Sequence, residues 1–197
     1  MLTAMRINAV VLAAGRSRRF GSDKRAAMLP GVLQQIDTAL AGHLQSLVCV
    51  LRSSDKTLKL LPDRTNLPLV PLYLDDAQAD MGMGHSLAAA CKACNEADAI
   101  MIFLADMPAI SAASIWTVYY ALAPGRITVP VYQGRRGHPA GFGRDFFPDL
   151  QQLRTDKGAK SLLATYQQCV FEVTVNDPGV LLDIDTPDEW QDFNRNK

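Results

Sequence analysis

A layered α/β domain with a mostly parallel sheet is the fold class this sequence predicts, and three observations predict it. Apolar runs with strand character alternate with helical patterns along the whole chain, as where crossover helices join parallel strands. No stretch rich in Gly, Ser or Pro divides the 197 residues, so one domain is expected over 1–197, burying about 70% of its unfolded surface. The first apolar run breaks at a glycine followed by cations, and such sheets bind ligands beyond the carboxyl ends of their strands.

The first strand is expected at 7–13, in an apolar run that reaches Ala14. Gly15 breaks it, and Arg16, Arg18, Arg19, Lys24 and Arg25 then set five cations against one anion, Asp23. The whole chain has 20 basic and 20 acidic residues, so the cluster is local. Gly15 and Gly21 allow positive φ and close backbone approach. Successive N–H groups in such a turn form an anion-binding concavity, and a following helix adds the partial charge of its N-terminus. A polyphosphate suits this combination; a solvated basic loop is the alternative. The Gly-x-x-x-x-Gly-Lys-Ser/Thr loop is absent, since five residues separate Gly15 from Gly21 and Lys24 follows three later. Gly-x-Gly-x-x-Gly is absent too, which speaks against a dinucleotide cofactor.

Helix 31–43 comes next, then strand 46–51, a polar connection over 52–69 with scattered prolines, and strand 68–74. Gly82 and Gly84 open helix 85–96. The helix N-terminus offers free N–H donors and Ser86 a hydroxyl, which make either a cradle for base or ribose or an ordinary turn. Cys91 and Cys94 form a Cys-x-x-Cys pair in that helix. The other two cysteines, Cys49 and Cys169, make no second pair of that spacing, so both read as small buried helix residues rather than zinc ligands.

Strand 98–104 is strongly apolar and leads to Asp106, Met107 and Pro108. A carboxylate held at a strand tip suits magnesium, which takes oxygen ligands from one or two carboxylates plus substrate phosphates; the alternative is a cap on the turn before Pro108. Helix 111–122 and strand 126–132 follow. The loop after that strand carries Arg136 and His138, and a second basic loop reaches Lys160 as helix 158–168 begins. Together they suit a second anionic substrate, although a lone histidine such as His138 is more often structural. Strand 170–175 and helix 187–194 end the series. Thr186, Pro187 and Glu189 have a structural explanation as N-cap, first helical residue and capping box. That leaves Asp183 and Asp185 unexplained, with Asp185 the candidate for a second metal contact.

Net charge is zero and the isoelectric point is about 6.8, so no global field points to nucleic acid or an anionic membrane. No apolar run reaches the roughly 18 residues of a membrane span. Residues 1–6 lead straight into a strand and do not read as a signal peptide, so a cytoplasmic location is expected.

In order, these motifs resemble the MobA/MocA-like nucleoside triphosphate transferases of molybdenum cofactor maturation, which add a cytidylyl or guanylyl group to molybdopterin. Leu12 to Lys24 matches the spacing Leu-x-Ala-Gly-x-x-x-Arg-x-Gly-x-x-Lys. Residues 103–108 look like the family's apolar-Asp-Met-Pro motif, and 82–87 its Gly-Met-Ser-x-Ser-Leu. Residues 134–139 resemble Gly-x-Arg-Gly-His-Pro, 156–160 Asp-x-Gly-Ala-Arg, and 183–187 Asp-Ile-Asp-Thr-Pro. The likeness spans 7–190. It implies a three-layer, Rossmann-like fold of the nucleotide-diphospho-sugar transferase type, with Mg2+ as cofactor. It implies catalytic roles for Arg16, Arg19, Lys24 and Asp106, and metal contacts from Asp106 and Asp185. Nucleotide contacts are implied at Leu12, Ala13, Ala14, Gly15, Lys24, Gly82, Gly84 and Ser86, and acceptor contacts at Arg136, His138 and Lys160. The His138–Pro139 pair is closer to the cytidylyl branch, favouring CTP over GTP. Two departures touch the nucleotide and acceptor surroundings: residues 25–33 are shorter than the family's segment, and His85 stands where the family has Ser.

The expected reaction is attack of an acceptor phosphate oxygen on the α-phosphorus of an NTP, releasing pyrophosphate. Arg19 and Lys24 are expected to neutralise the β- and γ-phosphates, with Arg16 steadying the leaving group. The rival readings are a transferase acting on a sugar phosphate or other phosphometabolite, a binding protein without chemistry, and a nicotinamide-dependent oxidoreductase. The last is disfavoured by the missing glycine fingerprint.

Overall fold

The structure is a computed structural model that describes residues 4–16, 20, 23–62, 65–156 and 158–195. β1 (Ile7–Leu12) lies between β2 (Ser46–Arg52) and β4 (Ala99–Leu104) and pairs with both in parallel. β3 (Leu69–Leu74) extends β2 in the same sense. On the other side β7 (Ala140–Gly143) runs antiparallel to both β4 and β5 (Ile127–Tyr132), which makes β5 parallel to β4. β8 (Val170–Thr174) joins β5 in parallel, and the short β6 (Arg135–Arg136) pairs antiparallel with the end of β5. The eight strands form one sheet in the order β3-β2-β1-β4-β7-β5-β6, with β8 alongside β5.

Helices cover both faces, giving the three-layer, mostly parallel architecture expected. Successive strand residues point to opposite faces. Ala9 and Val11 of β1 meet Leu29, Val32 and Ile36 of α1 (Lys24–Leu40) and Ile115 and Val118 of α4 (Ala112–Ala121). Val10 meets Leu87 and Cys91 of α3 (Met83–Ala93) and Leu150 of α5 (Phe147–Leu150). Burial on both faces is why β1 and β4 read as continuous apolar runs without alternation. Each large side chain buried there contributes about 1.5–3 kcal/mol. Val10, fully buried, is a position where aspartate would place an unpaired charge between two layers.

Helix α1 begins at Lys24, well before the expected 31, and runs through Pro30. Asp23 caps it by accepting from the Arg25 amide at 3.1 Å. Pro30 and Ala26, whose carbonyl Pro30 cannot bond, both sit on the exposed side of the helix, where water replaces the lost bond. β7 was not expected; four residues with two glycines give no alternation to read. Three further short helices are α2 (Asp76–Asp80), α6 (Lys160–Thr165) and α7 (Pro187–Arg195). Cys49, Cys91 and Cys94 are free and buried, and burial pushes the Cys91 thiol up to about 12, so the Cys-x-x-Cys pair packs as a pair of small apolar residues. Among the described residues no helix is long and apolar enough to cross a membrane.

Candidate active site

Three strand ends converge on one cleft. Leu12 closes β1, Arg52 closes β2 and Leu104 closes β4, and all three line a cavity of about 380 Å³. Gly15 and Arg16 continue from β1, Asp106 follows β4, and Gly82, Met83 and Ser86 come from the start of α3. A second cavity of about 720 Å³ opens beside it, with Arg136, His138, Lys160, Asp183 and Asp185 in its walls. Both lie in the size range of small-molecule sites. Leu12, Met83, Leu104 and Asp106 line both, so Asp106 sits where one cavity passes into the other.

Lys24 sits among the carboxylates. Its Nζ lies 2.8 Å from Asp106 Oδ2, 2.8 Å from Asp185 Oδ1 and 3.2 Å from the Ile184 carbonyl oxygen. The Ile184 amide in turn donates to the Asp106 carbonyl oxygen. Burial works against the Lys24 charge, but hydrogen bonds to Asp106 and Asp185 outweigh it and hold its pKa above the ordinary value. The capping box expected at α7 is present: the Glu189 carboxylate accepts from the amides of Asp185 and Thr186, and Thr186 Oγ1 accepts from the Glu189 amide. Those bonds hold Glu189 below the usual carboxylate range and fix the backbone at Asp185. Trp190 and Phe193 of α7 pack on Phe20, Met28 and Ile184.

The other described cations of the first loop are also paired. Arg16 meets Asp80 through two bonds, Nε–Oδ1 at 2.7 Å and Nη2–Oδ2 at 2.5 Å, and Arg52 Nη2 reaches the same carboxylate at 2.7 Å. Hydrogen bonds from Arg16 and Arg52 hold Asp80 far below the usual carboxylate range. Arg25 is buried and is removed from the set facing ligand. It donates to Ala13 O at 3.0 Å and pairs with Asp55 and Asp23. Burial opposes its charge, yet the hydrogen bonds it donates to Asp23 and Asp55 raise its pKa. Asp55 also accepts from the Arg52 amide at 2.7 Å, so it ties the start of α1 to the end of β2.

Gly82 and Gly84 have a packing reason. A Cβ on Gly82 would stand 2.6 Å from Asp156 Cα, and one on Gly84 2.4 Å from Thr155 O; Gly82 also has φ of 107°. The Gly84 amide donates to Thr155 O at 2.8 Å. In contrast, a Cβ on Gly15 meets nothing within 4 Å. On the acceptor side a Cβ on Gly137 would stand 2.1 Å from Val180 O, and the His138 amide donates to that oxygen at 2.9 Å. His138 Nδ1 lies 3.5 Å from Ile102 O, which leaves Nε2 as an acceptor. Burial lowers its pKa. Arg136 pairs with Glu172 at 2.7 Å.

Of the residues singled out from sequence, the structure gathers Leu12, Ala14, Gly15, Arg16, Gly82, Ser86 and Asp106 around the first cavity, and Arg136, His138, Lys160, Asp106 and Asp185 around the second. Neither wall includes Ala13, Lys24 or Gly84. Ala13 spends its backbone on Val50 O and Arg25. Arg19 lies outside the described residues, as do Arg18 and Gly21. Arg52 and Asp80 escaped the sequence reading; the only signals were an arginine directly after an apolar strand and an acid just before Gly82.

Asp106 and Asp185 fit a divalent cation by their chemistry. Both are oxygen donors, and one oxygen of each already converges on a single cation, the Lys24 ammonium. No group of three or more His, Cys, Asp or Glu side chains able to hold a metal occurs among the described residues. A magnesium ion here would therefore draw its other ligands from phosphate and water.

The model of a MobA-like NTP transferase domain matches residues 9–170. The chain is 33% identical over 191 residues to the purine catabolism protein PucB of Bacillus subtilis, covering 92% of each. It is 26% identical to nicotine blue oxidoreductase of Paenarthrobacter nicotinovorans over 93% of this chain and 94% of that protein. Among solved structures, a Mycobacterium sp. strain JC1 homologue of Mycobacterium tuberculosis Rv0371c superposes with a TM-score of 0.79 at 26% identity, covering 97% of this chain and 96% of the other.

Proposed function

This chain belongs to the MobA-like NTP transferase family, and on that premise we propose that it moves a nucleoside monophosphate from an NTP to a phosphorylated acceptor, releasing pyrophosphate. CTP is favoured over GTP on the His138–Pro139 motif, and molybdopterin is the proposed acceptor on the family resemblance as a whole. The carrying observation is that Asp106 lies in the walls of both cavities. A nucleotide in the first and an acceptor in the second would face each other across it.

The acceptor phosphate oxygen forms a bond to the α-phosphorus, the bond to the bridging oxygen of the β-phosphate breaks, and pyrophosphate carries away the charge. An acceptor phosphate is already ionised, so no general base is required. The obstacle is crowded negative charge. Arg16, in the wall of the first cavity, and Lys24, bonded to Asp106, would offset it, assisted by backbone N–H groups at Gly15, and Arg19 is proposed to join them. Asp106 and Asp185 would hold magnesium, which when bound neutralises phosphate charge and polarises the phosphoryl oxygens. Arg136, Lys160 and the neutral Nε2 of His138 would orient the acceptor.

The test is pyrophosphate release with magnesium, each NTP and molybdopterin or sugar phosphates in turn. Asp106→Ala and Lys24→Ala should each abolish turnover in a folded protein, and near-native activity in either refutes the scheme. A second reading, a nicotinamide-dependent reduction, has in its favour the name of the Paenarthrobacter relative. Oxidation of NADH followed by absorbance, with no pyrophosphate formed, would select it.

A further inference from the structure

We propose that Lys24 is an internal competitor for the divalent cation, so that metal enters the site together with the triphosphate and not ahead of it. This rests on the reading of Asp106 and Asp185 as metal ligands. The observation is a single position with two claimants: the Lys24 ammonium bonds Asp106 Oδ2 and Asp185 Oδ1 at 2.8 Å each.

Three facts give the competition force. The Lys24 ammonium offsets part of the negative charge of Asp106 and Asp185, which weakens their pull on a dication. A dication beside the ammonium meets like-charge repulsion in a partly buried place, where Lys24 is 15% exposed and Asp106 28%. Finally, Lys24 and Arg25 open α1, and no acidic residue lies in its first turn. Cations at a helix N-terminus oppose the helix dipole, so Lys24 gains its stability from the anions in front of it. A triphosphate offers Lys24 stronger anions within the same cleft. Once Lys24 turns to them, its two bonds to Asp106 and Asp185 are released, and the phosphates would supply further oxygen ligands to a metal there. Metal and nucleotide then favour each other's binding by the same factor.

The consequence is an order of events. Metal alone binds weakly, and the loaded site forms only when metal and nucleotide are both present. Lys24 is here a positioning residue for the metal in addition to its contact with phosphate.

The experiment titrates Mn2+ into the 197-residue chain and reads bound metal by electron paramagnetic resonance, with no turnover involved. Wild type should bind Mn2+ about tenfold or more tighter in the presence of an unreactive α,β-methylene CTP or GTP analogue, within the usual range of coupling. Lys24→Met should bind Mn2+ about tenfold tighter than wild type without analogue, and its coupling to the analogue should shrink. Lys24→Arg, which keeps the cation, should resemble wild type without analogue. If Lys24→Met does not fold, Lys24→Gln carries the same expectation. Equal Mn2+ affinity of folded Lys24→Met and wild type overturns the inference, as does wild-type coupling below about threefold. Asp106→Ala separates the two levels. If it binds Mn2+ with analogue as well as wild type does, the metal-site reading itself fails and the inference with it. If it loses Mn2+ while Lys24→Met changes nothing, only the inference fails.

Discussion

The Ile184 amide donates to the carbonyl oxygen of Asp106 at 3.0 Å. One backbone bond thus docks the segment carrying Asp185 onto the end of β4, and it sets the spacing of the two carboxylates without using either side chain. Trp190 and Phe193, packed on Phe20, Met28 and Ile184, hold that segment from behind. Trp190→Ala should lower unfolding free energy by about 1–2 kcal/mol, since the ring is only partly buried. It should also raise KM for NTP more than a change of similar stability cost on the far face of the sheet. Urea unfolding and initial-rate kinetics on the same samples check both.

Arg16 and Asp80 form an ion pair in which the two sides have different jobs. Arg16→Ala removes an exposed side chain, so the unfolding midpoint should stay put while KM for NTP rises about tenfold, the scale of one lost charged contact. Asp80→Ala also strips a partner from Arg52, whose side chain is 6% exposed, and leaves a buried charge short of compensation. That variant should melt earlier. Thermal unfolding distinguishes the pair.

Glycines at the cleft divide by what surrounds them. Gly84→Ala puts a Cβ 2.4 Å from Thr155 O, and should destabilise by about 1–3 kcal/mol through overpacking. Gly15→Ala meets no neighbour and should leave stability unchanged. If the Gly15 backbone approaches phosphate as proposed, the same substitution raises KM for NTP severalfold; an unchanged KM would remove Gly15 from the phosphate contacts.

His138 gives the protein a pH dependence of known sign. Burial lowers its pKa from the ordinary 6.5, so the unfolded chain binds the proton more readily than the native one. Stability contributed by the neutral ring is complete above about 6.5 and is lost as pH falls below it towards the native value. Unfolding free energy should therefore decline from pH 7.5 to 5.5, and His138→Gln should flatten that decline. Urea titrations at three pH values measure it.

Much of this was legible from sequence because strands buried on both faces announce themselves as apolar runs. β1, β2, β4 and β5 are such strands, and Asp106 could be placed at a strand tip from them alone. What escaped reading depends on contacts distant in the chain. Nothing local marks β7 as a strand, because its place is dictated by β4 and β5. Arg25 looked like one more cation of a basic loop until Asp55, thirty residues on, claimed it. Gly82 and Gly84 read equally as a ligand cradle or an ordinary turn, and no local signal showed that the Thr155–Asp156 turn fills their Cβ space. Composition reveals that a residue is charged or small; only the fold reveals what stands opposite.

Position 24 supplies the amine and position 185 the second acid of one cluster, so a separation of 161 residues must be synthesised before the pair can meet. A prematurely terminated product would keep most of the sheet yet lack the late carboxylate. It would also lack Trp190 and Phe193, which pack behind Ile184, so the centre and its support are lost together.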